Sequence, residues 1–478
     1  MRKLLLATVA ALGGLMGAAA VADAQTMSDT SGQAFPTVAA PTPGTVTVRL
    51  NGRFRFYAGV VADRNTDIGT PLASATNTAP FTTSPSGGKQ VGYTFGNYAR
   101  LYPGFDGVAA NGLKYGASLE IRQDSGGTTA RTGGGAVTSI SGANQGRSQL
   151  YFRREWGYIG TDQAGTLRLG SIDSASSLYM TGNFENFNDG GLNGDIPGFV
   201  TPNNQITWPF ADVGNLYTTT KAVYLSPQFF GFDAGISYEP NTGNVDNGSH
   251  CDSGIGGSIG CERLSSTSNN AESGRRRNTM DALLRYRGTF GGFGIAATGG
   301  AIISSNVKDN NASGIPFNSN RSAGVVRDNF DGLSVGDFGL ALTYGGLSVG
   351  GKYQFGRFNG QWNLAPKGVA DGEAFLGGLS YTFGPVIVGA HYLNYKSAGD
   401  IGNAYFGRQR KEQGIAAGAT YSLAPGLSIF LSYIGTERKQ NGYNFATGAG
   451  VTATSPGGNT EHNKVTAQVL SIGTSFSW

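Results

Sequence analysis

The chain has 478 residues, of which 78 are glycine and only 14% are charged. A soluble chain of this length would carry about 25% charged residues, and a disordered chain would lack the 27 Phe and 21 Tyr found here. The formal net charge of +4 is too small to indicate nucleic-acid binding, and two cysteines are too few for a disulfide-based fold. Because so much glycine disfavours helices, the composition favours β-structure.

The N-terminus has the pattern of a secretory signal peptide. A positively charged start precedes an apolar stretch over residues 4–20, and an Ala-x-Ala cleavage site ends at Ala24. We predict a signal peptide over 1–24, a flexible leader over 25–44 and a folded domain over 45–478. After the cleavage site, no apolar stretch approaches the ~20 residues of a membrane-spanning helix, which leaves a secreted protein or an outer-membrane barrel.

From Thr45 onward, apolar residues alternate with polar ones at the period of two that is typical of a β-strand. The first alternating segment is longer than the strand of about 5–6 residues found in most globular proteins. The same pattern returns at 113–122, 280–287, 347–355 and 414–421. One face of each segment is apolar or aromatic, whereas the other is charged, hydroxylic or glycine.

The connections between these segments alternate in length. Seven are short, at 106–112, 161–165, 226–231, 290–294, 344–346, 383–385 and 423–426. Eight are long, at roughly 64–90, 123–147, 174–219, 240–278, 304–331, 359–372, 397–411 and 438–462. Fifteen connections join sixteen strands. Short turns at one rim and long loops at the other predict an all-β fold, a 16-stranded antiparallel transmembrane β-barrel with short periplasmic turns and long extracellular loops.

Aromatic residues cluster beside the short turns, where they would form a girdle at the lipid interface. They are Tyr158, Phe290, Phe293, Tyr344, Phe383, Tyr421 and Tyr433. The chain ends on an aromatic strand whose last residue is Trp478, and this strand can close the barrel against the first one.

The segment from Arg154 to Asp173 resembles the strand–turn–strand of Gram-negative general porins of the alphaproteobacterial type. It contains an aromatic-x-Gly stretch, a short turn and a Gly-Thr-hydrophobic-x-hydrophobic-Gly repeat, although Trp478 stands where the family most often has Phe. The resemblance implies a cell outer-membrane porin, a water-filled channel for passive diffusion of small hydrophilic solutes and ions. It also implies a homotrimer in contact with membrane lipid and lipopolysaccharide. The sequence itself has no nucleophile motif and no phosphate-binding loop, and its net charge is small, so we expect no enzymatic activity, no cofactor and no nucleic-acid partner.

In such porins the loop after the fifth strand folds into the lumen, so the resemblance places 174–219 inside the barrel as an inward-folded third loop. This segment lacks Lys and Arg. Its acids are predicted to form one side of the constriction: Glu185, Asp189, Asp195 and Asp212. A basic wall is expected opposite them, made of Arg49, Arg53, Arg55, Arg100, Arg122 and Arg153. Such a pair of charged walls sets a transverse field across the pore.

Arg154 does not fit the alternation. If Trp156 and Tyr158 face outward with Leu150 and Phe152, Arg154 would face lipid at a cost of ~2–4 kcal/mol near the midplane. Either a β-bulge shifts the register, or this face is buried between subunits. We take Arg154 as a candidate subunit-interface residue.

Cys251 and Cys261 lie in the long fourth loop, and passage through an oxidising periplasm predicts a disulfide between them. A metal site would need more ligands than the neighbouring His250. The basic run Arg275–Arg277 either binds anionic lipopolysaccharide headgroups or is simply solvated.

Three alternatives remain at this point. A substrate-selective channel for sugars or organic acids would use an aromatic slide, for which Tyr57, Tyr98 and Tyr102 are placed on the polar face. An outer-membrane enzyme would need a nucleophile beside a histidine such as His391. An adhesive barrel would act through its loops. The glycine excess is expected in turns, loops and strand positions, and a wet lumen is expected to need no apolar core.

Overall fold

A computed structural model describes residues 42–64, 92–124, 150–200, 204–210, 219–241, 265–266, 276–309, 329–360, 362–366, 369–399, 409–441, 443–445, 449–450 and 463–478. The predicted signal peptide, the leader up to residue 41, Asp212 and both cysteines lie outside these residues. The cleavage site and the disulfide therefore stay predictions.

Sixteen strands form a closed antiparallel barrel, in which each strand pairs with its neighbours along the chain and the last pairs with the first. The strands are β1 Val46–Arg64, β2 Tyr93–Val108, β3 Lys114–Asp124, β4 Tyr151–Thr161, β5 Gly165–Ser171, β6 Thr220–Leu225, β7 Phe232–Asn241, β8 Arg277–Phe290, β9 Phe293–Ile303, β10 Ser334–Tyr344, β11 Leu347–Arg357, β12 Gly372–Phe383, β13 Val386–Ser397, β14 Arg410–Ala424, β15 Leu427–Lys439 and β16 Lys464–Ser477. The predicted fold class is confirmed.

All seven short turns fall where the sequence predicts them. The tightest consist of two residues, such as Gly291 and Gly292 between β8 and β9, whose φ values are 55° and 88°. Both central residues of a two-residue hairpin turn of this type need positive φ, which glycine adopts without steric cost. The turn sequences thus explain the sharp reversals at one rim.

The alternation along each strand separates an outer face from an inner face. On β1, Phe56 is 40% and Val60 57% exposed, whereas Arg53 and Arg55, which occupy the alternate positions of the same strand, are 2% and 5% exposed. The C-terminal Trp478 closes the wall, because it exchanges backbone hydrogen bonds with Gly52 in β1 and its ring fills the space that a side chain at position 52 would need.

A β-bulge between β3 and β4 corrects the interpretation of Arg154. Glu120 pairs with Arg154 but Ile121 pairs with Phe152, so that Arg153 is the extra residue. After the bulge, toward the end of β4, the positions that face inward and outward are exchanged relative to those before it. Arg154 is 4% exposed and lies inside the barrel, so its assignment to a subunit interface is wrong.

The same inversion brings Trp156 and Tyr158 inside, where the Tyr158 hydroxyl donates to Asp106 at 2.5 Å. Tyr158 therefore does not belong to the lipid-facing girdle. Phe290, Phe293, Tyr344, Phe383 and Tyr421 do lie exposed at the short-turn ends of their strands. Glu155 takes the outward position on β4 and is exposed.

Small elements accompany the barrel. The segments Ala365–Pro366, Asn329–Asp331, Val307–Asp309 and Ser265–Ser266 form a four-stranded sheet in that order, and Tyr443–Asn444 pairs with Ala449–Gly450. Three short helices follow β5: α1 Ala175–Leu178 and the 3₁₀ turns Gly191–Asn193 and Ile196–Phe199. In the part of the chain described, no helix has the length and apolar character needed to cross a membrane.

Arg276 corrects the interpretation of the basic run. Its side chain is 0% exposed, its guanidinium lies 3.4 Å from the Glu239 carboxylate, and it donates to the backbone oxygen of Trp362 at 3.2 Å. The central arginine of the run is therefore an internal ion-pair partner and is not available to lipid or water.

Candidate pore constriction

The segment after β5 enters the barrel because polar side chains of the wall satisfy its first helical turn. Ser174 caps α1. The backbone N–H of Ala175 donates to the Ser237 hydroxyl of β7 at 3.1 Å, and the N–H of Ser176 donates to the Asp281 carboxylate of β8 at 3.0 Å. The first N–H groups of a helix have no partner within the helix, so these side chains fix its position.

A groove of glycines in the inner wall receives the next residues. A Cβ added to Gly378, Gly389 or Gly418 would lie 2.7–2.8 Å from Phe184, Phe187 or Asn188, respectively. Such distances are too short for a real Cβ, so only glycine lets the loop approach the wall this closely. Part of the glycine excess therefore has a specific purpose, which is to seat the loop.

Apolar side chains hold the loop against β9–β16. The buried cluster of the barrel interior contains Phe187, Leu192, Ile196, Ile206, Trp208 and Phe210 from the loop, and Leu376, Leu393, Ala416, Ile434 and Val469 from the wall. Burial of each large member contributes roughly 1.5–3 kcal/mol. The expectation that the lumen needs no apolar core is wrong, because an inward-folded loop of this length must bury its own apolar residues.

His391 of β13 anchors the loop through both ring nitrogens. Nε2 accepts from the Leu192 N–H at 3.1 Å, which assigns the proton to Nδ1, and Nδ1 then donates to the Phe184 carbonyl at 3.0 Å. The rings of Phe187 and Trp208 pack on the imidazole at centroid distances of 5.5 and 5.9 Å. His391 is 2% exposed, so this histidine has a structural function.

The three described loop acids have different environments. Asp189 is 0% exposed, and its Oδ2 accepts from the N–H groups of Asp195 and Ile196 at 3.0 and 3.2 Å, so it stabilises the loop's own fold. Glu185 accepts from the side-chain amides of Asn183 and Asn193, both at 3.1 Å.

Asp195 reaches across to the opposite wall. Its carboxylate accepts from the Tyr57 hydroxyl at 2.8 Å and lies 3.4 Å from the Arg100 guanidinium. Burial alone would raise the pKa of Asp195, but Arg100, Arg55 and Arg53 outweigh burial and hold that pKa below its ordinary value. Asp195 is thus a charged contact between the loop and the wall.

The arginines of β1 and β2 form one cluster around Tyr98. Arg53 pairs across the sheet with Arg100, and Arg55 pairs with Tyr98 itself. The guanidinium carbons of Arg100, Arg53 and Arg55 lie 4.0, 5.4 and 6.0 Å from the Tyr98 ring centre. The electron-rich ring face favours cations at such distances and helps to keep three positive charges together.

A second cluster surrounds Glu120 of β3. Arg122 and Arg153 contact its Oε1, the latter at 3.4 Å, and Arg154 lies 3.1 Å from Oε2. Arg154 also reaches Asp173, at 3.2 Å, where the loop begins. Burial raises the pKa of Asp173 to about 6, although Arg154 opposes this shift.

Arg49 stands apart from both clusters. It lies four residues before Arg53, or about 13 Å along the strand, and pairs with Asp106 at 2.5 Å. The predicted basic residues thus all face the interior but divide among three places. Their part in a constriction, like that of the loop acids, stays a prediction.

Sequence reasoning missed the anchors of the loop. The sequence marks His391 only as a possible catalytic base and does not single out Thr420 or Gln354. Thr420 and Gln354 donate to the Phe187 and Pro209 carbonyls at 3.1 and 3.0 Å. Their positions on the inward parity of strands were readable, but their partners lie more than a hundred residues away in the chain.

One of the comparisons with known proteins identifies a family. The family model described as Gram-negative porin matches residues 7–442. No curated protein matches the chain significantly. Solved structures with a similar fold include OmpT of Vibrio cholerae in a trimer form, with 13% identity, coverage of 91% of this chain and 99% of that one, and a TM-score of 0.48.

Two further structures are similar. The outer membrane channel DcaP of Acinetobacter baumannii has 12% identity, coverage of 92% and 100%, and a TM-score of 0.47. A variant of the Rhodopseudomonas blastica porin has 12% identity, coverage of 90% and 100%, and a TM-score of 0.43.

Proposed function

The chain belongs to the Gram-negative porin family and forms an outer-membrane channel, and from this premise we propose that the channel is non-specific. It admits small hydrophilic solutes and ions by passive diffusion past the loop of residues 174–219. The observation that carries the proposal is the contact of Asp195 with Tyr57 and Arg100, which sets an acidic loop against a basic wall. Opposed fixed charges orient polar solutes without selecting one chemical structure.

The runner-up is a channel selective for sugars or organic acids, and it would use Tyr57, Tyr98 and Tyr102 as a slide. Tyr57 and Tyr98 are 2% and 5% exposed. The Tyr57 ring also packs against the Phe430 ring in a T-shaped arrangement with a centroid distance of 5.3 Å, so it is engaged by the barrel wall. This packing favours the non-specific channel. Both ring nitrogens of His391 hydrogen-bond to backbone groups of the loop, so neither is available as a catalytic base. This arrangement favours a channel over an enzyme.

Liposome swelling separates the two channel types. A non-specific pore admits sugars, amino acids and organic acids at rates that fall smoothly with solute mass and do not saturate. A selective pore admits one class much faster than others of equal mass, and that class blocks ion current at a saturable concentration. A saturable block in planar bilayers would overturn the proposal.

We propose a homotrimer whose contact surface includes β5 and β6. These strands have only 7 and 6 residues. At ~3.3 Å per residue and a tilt near 40°, they span roughly 15–18 Å, which is less than the apolar band of about 25 Å. The neighbouring Glu155 places a carboxylate on the outer surface. A partner subunit would cover both features.

Native mass spectrometry of Glu155→Arg tests the contact surface. We expect loss of the trimer, whereas Gln413→Arg, on the outer face of β14, serves as a control that remains trimeric. A trimeric Glu155→Arg protein would place the interface elsewhere.

A further inference from the structure

A short hairpin follows β11 at the extracellular mouth of the barrel. Asn359 and Asn363 exchange two backbone hydrogen bonds of 2.9 Å, so the chain reverses its direction between them. Gly360 and Trp362 within this turn have positive φ values of 56° and 63°. We call residues 358–360 and 362–364 the mouth hairpin.

Stacked aromatic rings attach the mouth hairpin to the inner face of β13. The Phe358 ring stacks on the rings of Trp362 and Tyr395, at centroid distances of 5.9 and 5.8 Å. The Tyr395 hydroxyl donates to the Gly360 carbonyl at 2.9 Å. Tyr395 lies four residues after His391 on β13 and therefore shares its inward direction. All three stacked side chains are 0% exposed, so the hairpin lies inside the wall.

A buried arginine attaches the same hairpin to β8. Arg276, directly before β8, donates to the Trp362 carbonyl at 3.2 Å and lies 3.4 Å from the carboxylate of Glu239 on β7. Four strands, β9–β12, separate β8 from β13 in the wall. At ~4.8 Å between neighbouring strands, the two attachments are about 24 Å apart along the wall. The mouth hairpin therefore extends across the β8–β13 sector of the mouth.

The mouth hairpin packs with the inward-folded loop. Phe358, Trp362 and Leu364 belong to the buried cluster of the barrel interior, and Trp208 and Phe210 of the loop are members of the same cluster. In a closed wall of sixteen strands, β10 and β11 stand opposite β2 and β3. The hairpin and the loop therefore occupy the side of the lumen that faces the arginine wall.

Trp362 is strained and incompletely hydrogen-bonded. A bulky residue with positive φ is a steric outlier, whereas glycine would form the same turn without strain. The indole Nε1 is buried and has no hydrogen-bond partner among the residues that the structure describes. Strain and unsatisfied buried groups of this kind are typical of functional positions. Stability alone does not explain a tryptophan here, so we look to the space that its ring fills.

We infer that the mouth hairpin is an entrance filter, with Phe358 and Trp362 as the residues that set its size limit. It covers the β8–β13 side of the mouth and directs entering solutes along the arginine wall, so that size is selected before charge. The inference rests on the channel of the proposed function. It adds a second barrier, which does not depend on the contact of Asp195 with Arg100.

Polymer exclusion measured from each side of a planar bilayer tests the entrance filter. Polyethylene glycols of graded mass are added to one side of a single inserted channel, and a polymer that enters the pore lowers its conductance. The double variant Phe358→Ala with Trp362→Gly should admit larger polymers than the wild type from one side only. The control is Tyr353→Ala with Phe355→Ala, a pair of exposed aromatic residues on the outer face of β11, which should leave both size limits unchanged.

Trp362→Gly alone is a milder variant, because glycine adopts the positive φ of this position, and it should raise the size limit on the same side by a smaller amount. Heat-dependent gel mobility shows whether each variant retains a folded barrel. An unchanged size limit in folded, conducting variants overturns the entrance filter. An equal rise on both sides also overturns it, since that result would indicate a wider constriction. Absence of conductance in the wild type would instead contradict the channel itself.

Discussion

Replacement of His391 by Phe should loosen the loop that fills the barrel. Phe keeps an aromatic ring of similar size between Phe187 and Trp208 but removes both ring nitrogens. The Leu192 N–H and the Phe184 carbonyl then lose their partners, which lie at 3.1 and 3.0 Å in a site that is 2% exposed. Each buried group left unsatisfied costs about 1–3 kcal/mol, so the loop's docking weakens by roughly 2–6 kcal/mol.

The apolar cluster keeps the loop inside, so the variant should fold and conduct. A loss of ~2 kcal/mol or more still multiplies the population of undocked loop states by about thirtyfold. Single-channel recording in 1 M KCl should therefore show added open-channel noise and larger subconductance steps. His391→Gln, which offers one donor and one acceptor, should restore part of the wild-type behaviour.

The control is Tyr392→Phe, the adjacent residue on the outer face, whose hydroxyl donates to Gln413 at 3.3 Å. It should leave conductance and noise unchanged. If His391→Phe folds and its current traces match those of the wild type, the histidine does not hold the loop in place.

Three further predictions concern the loop and the inner wall. Arg154→Leu leaves Glu120 and Asp173 buried without this partner, and it should lower the free energy of unfolding by about 3–5 kcal/mol in urea titrations. It should leave the proposed trimer intact, and loss of that trimer at unchanged stability would restore Arg154 to the subunit interface. Burial raises the pKa of Asp173 to about 6 from an ordinary 3.8, so the contribution of this carboxyl to the free energy of unfolding should fall as pH rises from about 4 to 6 and then stay level. Asp173→Asn should remove that pH dependence. A pH profile of stability that is the same in the variant and the wild type would argue against a raised pKa of Asp173. Gly378→Leu places side-chain atoms where Phe184 lies and should raise conductance by displacing the loop, whereas Gly377→Leu on the outer face should not; equal conductance of the two variants would contradict the seating of the loop on glycine.

The sequence predicts the barrel well because its signals are local. Alternation along β1 assigns Arg53 and Arg55 to the inside, and turns such as Gly291–Gly292 mark the reversals. The bulge at Arg153 is not readable in the same way, because one extra residue depends on the partner strand β3 and inverts every side chain after it.

The site is less predictable than the fold because its contacts join distant parts of the chain. The acids of the loop are visible in the sequence, but only the packing separates Asp195, which meets Arg100, from Asp189, which binds the loop's own backbone. The apolar interior is not predictable from the sequence for the same reason. Ala416 and Leu393 look like ordinary strand residues in the sequence, and the loop of residues 174–219 that covers them is distant in the chain.

We propose that the loop of residues 174–219 and the arginine wall together form the constriction. The most direct measurement is the reversal potential across a planar bilayer under a tenfold KCl gradient, compared between the wild type and Asp195→Asn. Loss of this carboxylate beside Arg100 should shift the reversal potential toward anion selectivity, whereas Asp162→Asn, at the exposed β4–β5 turn, should not shift it. An unchanged reversal potential in a folded, conducting Asp195→Asn channel would contradict the claim.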